Sequence, residues 1–136
     1  MAKQIQRFDW ALFFLRLGVG IVFTFITGWA KVSGGSAMWE KLGGSMHFIG
    51  VTWKPEFWGF MAMLAEFGGG ICFLLGILVR PAAVLLLFVM FIATLASLHN
   101  GKTFFDLGEI IVIFGALLCL LLLGSGKLGL RYFIGK

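Results

Sequence analysis

Apolar residues run along the chain in four long stretches, at 10–29, 57–79, 81–98 and 107–123. Each run is continuous, without the polar–apolar alternation of a membrane β-strand. A helix needs about 20 apolar residues to cross a hydrocarbon core of about 30 Å, within a range of about 17–25. A helix also satisfies its own backbone hydrogen bonds in lipid, so each run predicts one transmembrane helix. The breaks have local causes. Pro81 follows Arg80 directly, and proline is tolerated at the start of a helix, so the second and third spans should form a tight antiparallel hairpin. Asn100-Gly101-Lys102 interrupts the third run, and Gly124-Ser125-Gly126 ends the fourth.

The segment at 32–56 is the longest connection and is not purely polar. Trp39, Leu42, Met46 and Ile49 recur at helical spacing, and Ser36 is placed to cap a helix start. This predicts a short amphipathic helix in the outer membrane interface, with Trp39 and Trp53 at headgroup level. The expected fold is all-α: one domain over 1–136, built as a four-helix membrane bundle with a short interfacial helix in its first outer loop.

Composition agrees. Of the 136 residues 60% are apolar and 12% charged, against roughly 45–50% and 25% in soluble domains. So few charges could not cover so much apolar surface, and a lipid bilayer has to be the partner that does. The net charge of +5 does not point to nucleic acid. The basic residues lie at helix ends and tails and form no stripe interleaved with exposed aromatics. With the N-terminus inside, inner segments carry Lys3, Arg7, Arg80, Lys127, Arg131 and Lys136, and outer segments carry Lys31, Lys41, Lys54 and Lys102. That bias favours both termini in the cytoplasm. The apolar run after Arg7 exceeds a signal-peptide core of about 7–15 residues, so the first span is expected to stay uncleaved and serve as the targeting signal. Cys72 and Cys119 fall inside apolar runs, with no paired or zinc-binding spacing, and read as packing residues.

Ionisable groups inside the spans are the strongest pointers to function, since each costs roughly 2.5–3.5 kcal/mol on insertion scales. Arg16 lies in the first span and Glu66 in the second. Glu66 is ~14 Å from the outer end of its span and Arg16 ~10–12 Å from the inner edge, which allows a pair near mid-membrane or one that only fixes packing. Arg16, Gly20, Thr24, Thr27 or Gly28, and Lys31 follow at intervals of three or four, and Glu66 shares a face with Gly70. Met90, Ala93 or Thr94, and Ser97 repeat that spacing in the third span. Such small residues suit helix packing. Thr27, Lys31, His99, Asp106 and Glu109 belong near the outer ends. With Glu66 they are expected to line an outward-opening polar pocket suited to a quinone-like head group or a proton path. His99, Asp106 and Glu109 are potential metal ligands, but a histidine near a helix end is more simply interfacial, and no metal site is expected. Gly124-Ser125-Gly126-Lys127 lacks the first glycine and the final Ser or Thr of a phosphate-binding loop. No nucleophile–base arrangement follows from the spacing.

Phe14-Leu15-Arg16-Leu17-Gly18, Thr27-Gly28-Trp29-Ala30-Lys31, Ala65-Glu66-Phe67-Gly68-Gly69, Leu75-Gly76-Ile77-Leu78-Val79-Arg80-Pro81-Ala82, His99 and Gly108-Glu109 occur in that order. In these pieces, over 14–130, the chain resembles the DoxX family of small four-helix bacterial membrane proteins. It departs at Thr27, where members often have histidine, and at Arg131, where they often have an acidic residue. The resemblance implies a multi-pass protein of the bacterial inner membrane. Relatives include the small subunit of a thiosulfate:quinone oxidoreductase and a membrane partner of thiol-stress enzymes. The leading expectation is therefore a membrane subunit of a redox or thiol-handling system, with a partner redox enzyme and a quinone as ligand. Arg16, Thr27, Lys31, Glu66, His99 and Glu109 are its candidate pocket residues. The alternative is a non-catalytic anchor or assembly factor, and a small transporter, working as a homo-oligomer, is a third class.

Overall fold

The computed structural model describes every residue except Phe104, Asp106 and Lys136, and the side chains of the rest apart from Ala2 and Ile5. Asp106, expected in the pocket, and Lys136, counted among the inner charges, therefore lie outside the described residues. Helix α1 (Ala2–Ile21) continues through a π-helical segment (Val22–Gly28) into α2 (Trp29–Gly43), which a 3₁₀ segment (Gly44–Ile49) extends. Then come α3 (Pro55–Leu75), α4 (Val79–His99), α5 (Gly108–Leu123) and a short α6 (Leu130–Ile134). Among the described residues there are no strands.

α1 packs on α3, α3 on α4, α4 on α5, and α5 back on α1, closing a four-helix ring. Leu12, Val19, Phe23, Phe73, Leu86, Met90, Leu117 and Leu120 fill its centre. The outer surface is as apolar as the core: Phe14, Phe25, Ile26, Leu85, Phe88, Val112 and Leu122 are all exposed. Buried Arg16, Thr24 and Glu66 complete an arrangement with polar groups inside and apolar groups outside, which is stable only with hydrocarbon as the solvent. The run Gln6–Ile49, together with α3 and α4, is long and apolar enough to cross a membrane. α5 has 16 residues, ~24 Å of helix, just under the usual lower bound of about 17 residues.

The first span does not stop near residue 29, as the pattern of the run suggests. It continues as helix until Gly35, where φ 65° and ψ −162° break the rod. Only glycine adopts that geometry without strain, so the interfacial helix begins after Gly35, with the glycine itself redirecting the chain. Trp39 is half-buried. Its indole N–H donates to the Lys31 carbonyl at 2.9 Å and its ring meets Phe60 edge-on at 5.1 Å, so it anchors the loop to the bundle. Trp53 is exposed and stacks on Phe57.

The α3–α4 turn comes four residues earlier than the position of Pro81 suggests. α3 ends at Leu75, and Gly76 caps it in the left-handed region (φ 72°), its N–H bonded to the Cys72 carbonyl at 2.8 Å. Pro81 then lies in the first turn of α4, where a missing N–H costs nothing. A side chain at Gly76 would collide with the Arg16 guanidinium and with Gly129, so the turn is fixed by what packs against it.

Candidate functional site

The continuous α1–α2 rod runs along α3 from one end of the bundle to the other, and its polar residues divide between the two ends. At the end that holds both chain termini, Arg16 is almost fully buried. Its guanidinium donates to the Ser125 carbonyl at 2.8 Å and the Leu128 carbonyl at 3.1 Å and lies over the Phe13 ring. It also sits against Gly76 at the C-terminus of α3, where helix carbonyls favour a cation. Nearby, the Lys127 backbone N–H donates to Asp9 Oδ1 at 3.2 Å. Arg80 reaches the Leu122 carbonyl at 3.3 Å. The mid-membrane pair between Arg16 and Glu66 allowed by their depths does not form, because Arg16 ties the segment after α5 to the base of α1 and α3.

Glu66 instead pairs with Lys31, and both are largely buried (3% and 15% exposed). The winding of the first span brings them together. Residues four apart overshoot a regular turn by about 40° each time, so a face built on Gly20, Thr24 and Gly28 would drift off α3. The π-helical turn, seen in the Trp29 N–H bonded to the Thr24 carbonyl, takes up that overshoot. All three residues are buried. At Gly28 a Cβ would come within 3.0 Å of the Phe67 Cα; this close approach puts Lys31, one turn on, beside Glu66, the neighbour of Phe67.

Glu66 Oε1 takes the Lys31 ammonium, while the buried Oε2 has no partner among the described residues. The pair stands at the side of a cavity of about 640 Å³ between α3 and α4, within the roughly 300–1,000 Å³ of small-molecule sites. Small residues facing one another, Ala62 and Ala65 on α3 and Ala93 and Ala96 on α4, leave this space open. Leu42, Gly43, Ser45 and Met46 roof it. The roof is held where Gly43 and Gly59 bring backbones into contact with Pro55 and Trp39, leaving no room for a Cβ. Trp58 also lines the cavity, and its buried indole N–H has no partner among the described residues. Met61, Leu64, Leu85 and Phe88 line the cavity and are exposed on the outer surface of the bundle, so the cleft opens sideways between α3 and α4.

The structure thus brings two of the six candidates, Lys31 and Glu66, into one cleft and places the others elsewhere. Thr27 is half-buried in the π-helical segment, its hydroxyl directed to the Val22 carbonyl. His99 is exposed at the end of α4, 5.0 Å from the Phe48 ring and 6.3 Å from the His47 ring. Glu109 is exposed in the first turn of α5, and Arg16 is at the opposite end. Among the described residues no three His, Cys, Asp or Glu side chains gather as a metal site would need. Sequence reasoning passed over Trp58, Ala62, Ala65 and Ala96, and read Ala93 as a packing residue. An indole N–H inside an apolar span was the available signal for Trp58. Alanine spacing gives no such signal, since small residues equally permit close packing.

The DoxX family model matches residues 11–100, from within α1 to just past the end of α4, including both members of the buried ion pair. No curated protein and no solved structure matches the chain. With two thirds of its length aligned to that one model, on an all-helical bundle with an apolar exterior, the chain belongs to the DoxX family.

Proposed function

We propose that this protein is a membrane subunit of a redox or thiol-handling system in the bacterial inner membrane, binding a quinone-type ligand in the α3–α4 cleft. The observation that carries this reading is the unpartnered Oε2 of buried Glu66 at the wall of an otherwise apolar, laterally open cavity. A buried polar atom without a hydrogen bond costs roughly 1–3 kcal/mol, more if charged, so a guest that supplies one gains that energy. A lipophilic tail fits the alanine- and leucine-lined walls, and a polar ring fits the end holding Lys31, Glu66 and Trp58. The base of α1 and the segment after α5 meet at one end of the bundle, and the bias of lysine and arginine favours the cytoplasmic side for that end. The test is organic extraction of protein purified in mild detergent, with quinone measured by mass spectrometry. Stoichiometric ligand, counted in both oxidation states, in the wild type and a large loss in Ala93→Trp, which fills the cleft, are expected; equal amounts in both would contradict the assignment.

A second reading, as an anchor or assembly factor, is favoured by α6, where Phe133 and Ile134 are exposed beside Arg131. It predicts that a partner enzyme co-purifies with the wild type but not with protein truncated after Gly129, and that no small molecule is bound.

A further inference from the structure

The cleft carries information about the oxidation state of its ligand, and the following inference rests on the quinone-type reading above. We infer that the cleft takes the hydroquinone form in preference to the quinone, and that the ligand enters sideways from the bilayer between Met61 and Leu64 of α3 and Leu85 and Phe88 of α4. The first part follows from hydrogen-bond polarity. Glu66 forms its ion pair with Lys31 through Oε1, and a carboxylate in an ion pair only accepts hydrogen bonds. Its Oε2 is therefore an acceptor, and among the described residues it has no partner, in a side chain only 3% exposed. A quinone carbonyl is also only an acceptor and would face Oε2 lone pair to lone pair. A hydroquinone hydroxyl donates to it. The Trp58 N–H, the other buried and unpartnered polar group in the lining, does not discriminate, because ring oxygens accept in both forms.

The second part follows from where the cavity is open. Its roof is closed by the segment from Leu42 to Met46, packed on α3 and α4. Its side is bordered by the exposed apolar residues that would face lipid tails. A molecule dissolved in the membrane reaches Glu66 without crossing water. A water-soluble one meets the roof.

The experiment uses the full chain in nanodiscs under argon, titrated with a decyl-substituted benzoquinone and with its hydroquinone. Binding is read by isothermal titration calorimetry, and empty nanodiscs are subtracted. The hydroquinone should bind at least about tenfold more tightly, the scale of one hydrogen bond to a charged acceptor. Glu66→Gln, which adds an N–H donor at the same place, should bring the two affinities towards parity. Ala93→Trp, filling the passage between the helices, should abolish binding of both. Equal affinities, or tighter quinone binding, in the wild type would overturn this inference while leaving the quinone-type site standing. Binding of neither form would overturn both. Undiminished binding by folded Ala93→Trp would remove the cleft as the site. The wild-type comparison needs no variant to fold.

Discussion

At the scale of single residues, the chain holds its two buried cations by different means, and the difference sets what each substitution should cost. Lys31 has a carboxylate partner, whereas Arg16 donates to the Ser125 and Leu128 carbonyls in the segment after α5. Removing one member of a buried ion pair costs about 3–5 kcal/mol because the other charge is stranded. Lys31→Met should therefore destabilise the protein by about that amount, measured by thermal unfolding in detergent. The double variant Lys31→Met/Glu66→Gln should recover most of the loss, giving a large coupling energy in the mutant cycle; additive losses would mean that the two groups do not act as a pair. Arg16→Met has a different signature. With the Ser125 and Leu128 carbonyls released, the segment after α5 should become accessible, and trypsin should cleave at Lys127 and Arg131 several times faster than in the wild type.

Among the elements, the α3–α4 hairpin is the most constrained. Its turn depends on Gly76, which is left-handed and lies against Arg16 and Gly129. A residue with a Cβ pays roughly 1–2 kcal/mol for the left-handed conformation alone, before any displacement of the guanidinium. Gly76→Val should thus lower the melting temperature more than Gly101→Val, where φ is also positive (77°) but space is open. Similar losses at the two sites would show that backbone strain, and not contact with Arg16, sets the cost. At the other end of the hairpin the 3₁₀ segment contacts both helices, and its Ser45 and Met46 line the cleft between them.

For the whole molecule, the helical class and the family were legible in the sequence because lipid imposes long uninterrupted apolar runs. The site was legible in part. Glu66 stood out as a charge in the wrong solvent and Lys31 as a polar residue near the outer end of its span, but their pairing depends on a non-standard turn that hydropathy does not register. Depth along a regular helix pointed Arg16 towards Glu66, while the tail after α5 supplies carbonyls closer to hand. His99 and Glu109 lie exposed at the ends of α4 and α5 and outside the lining of the cleft, and expected proximity to helix ends alone does not bring side chains together. Topology can be tested directly. Cysteines introduced at Ser36 and Gly135 should label from opposite sides with a membrane-impermeant maleimide in oriented vesicles, with Gly135→Cys reacting only after permeabilisation. Reaction of Gly135→Cys in sealed right-side-out vesicles would reverse the proposed orientation.

The wide turn at Val22–Gly28 has one more consequence. A helix wound this way holds one residue more than regular winding needs, so this part of the first span can lose a residue without loss of register. With Ile26 deleted, Gly28 would follow Thr24 by three positions and still face α3, since residues three and four apart share a helix face. Ile26 itself points away from the bundle (61% exposed). Deleting Phe91 from α4, also outward-facing (47% exposed), would rotate everything beyond it by about 100°. The Ile26 deletion should give folded, monodisperse protein by size exclusion and the Phe91 deletion should not, making this stretch the place in the bundle where a change in chain length is absorbed.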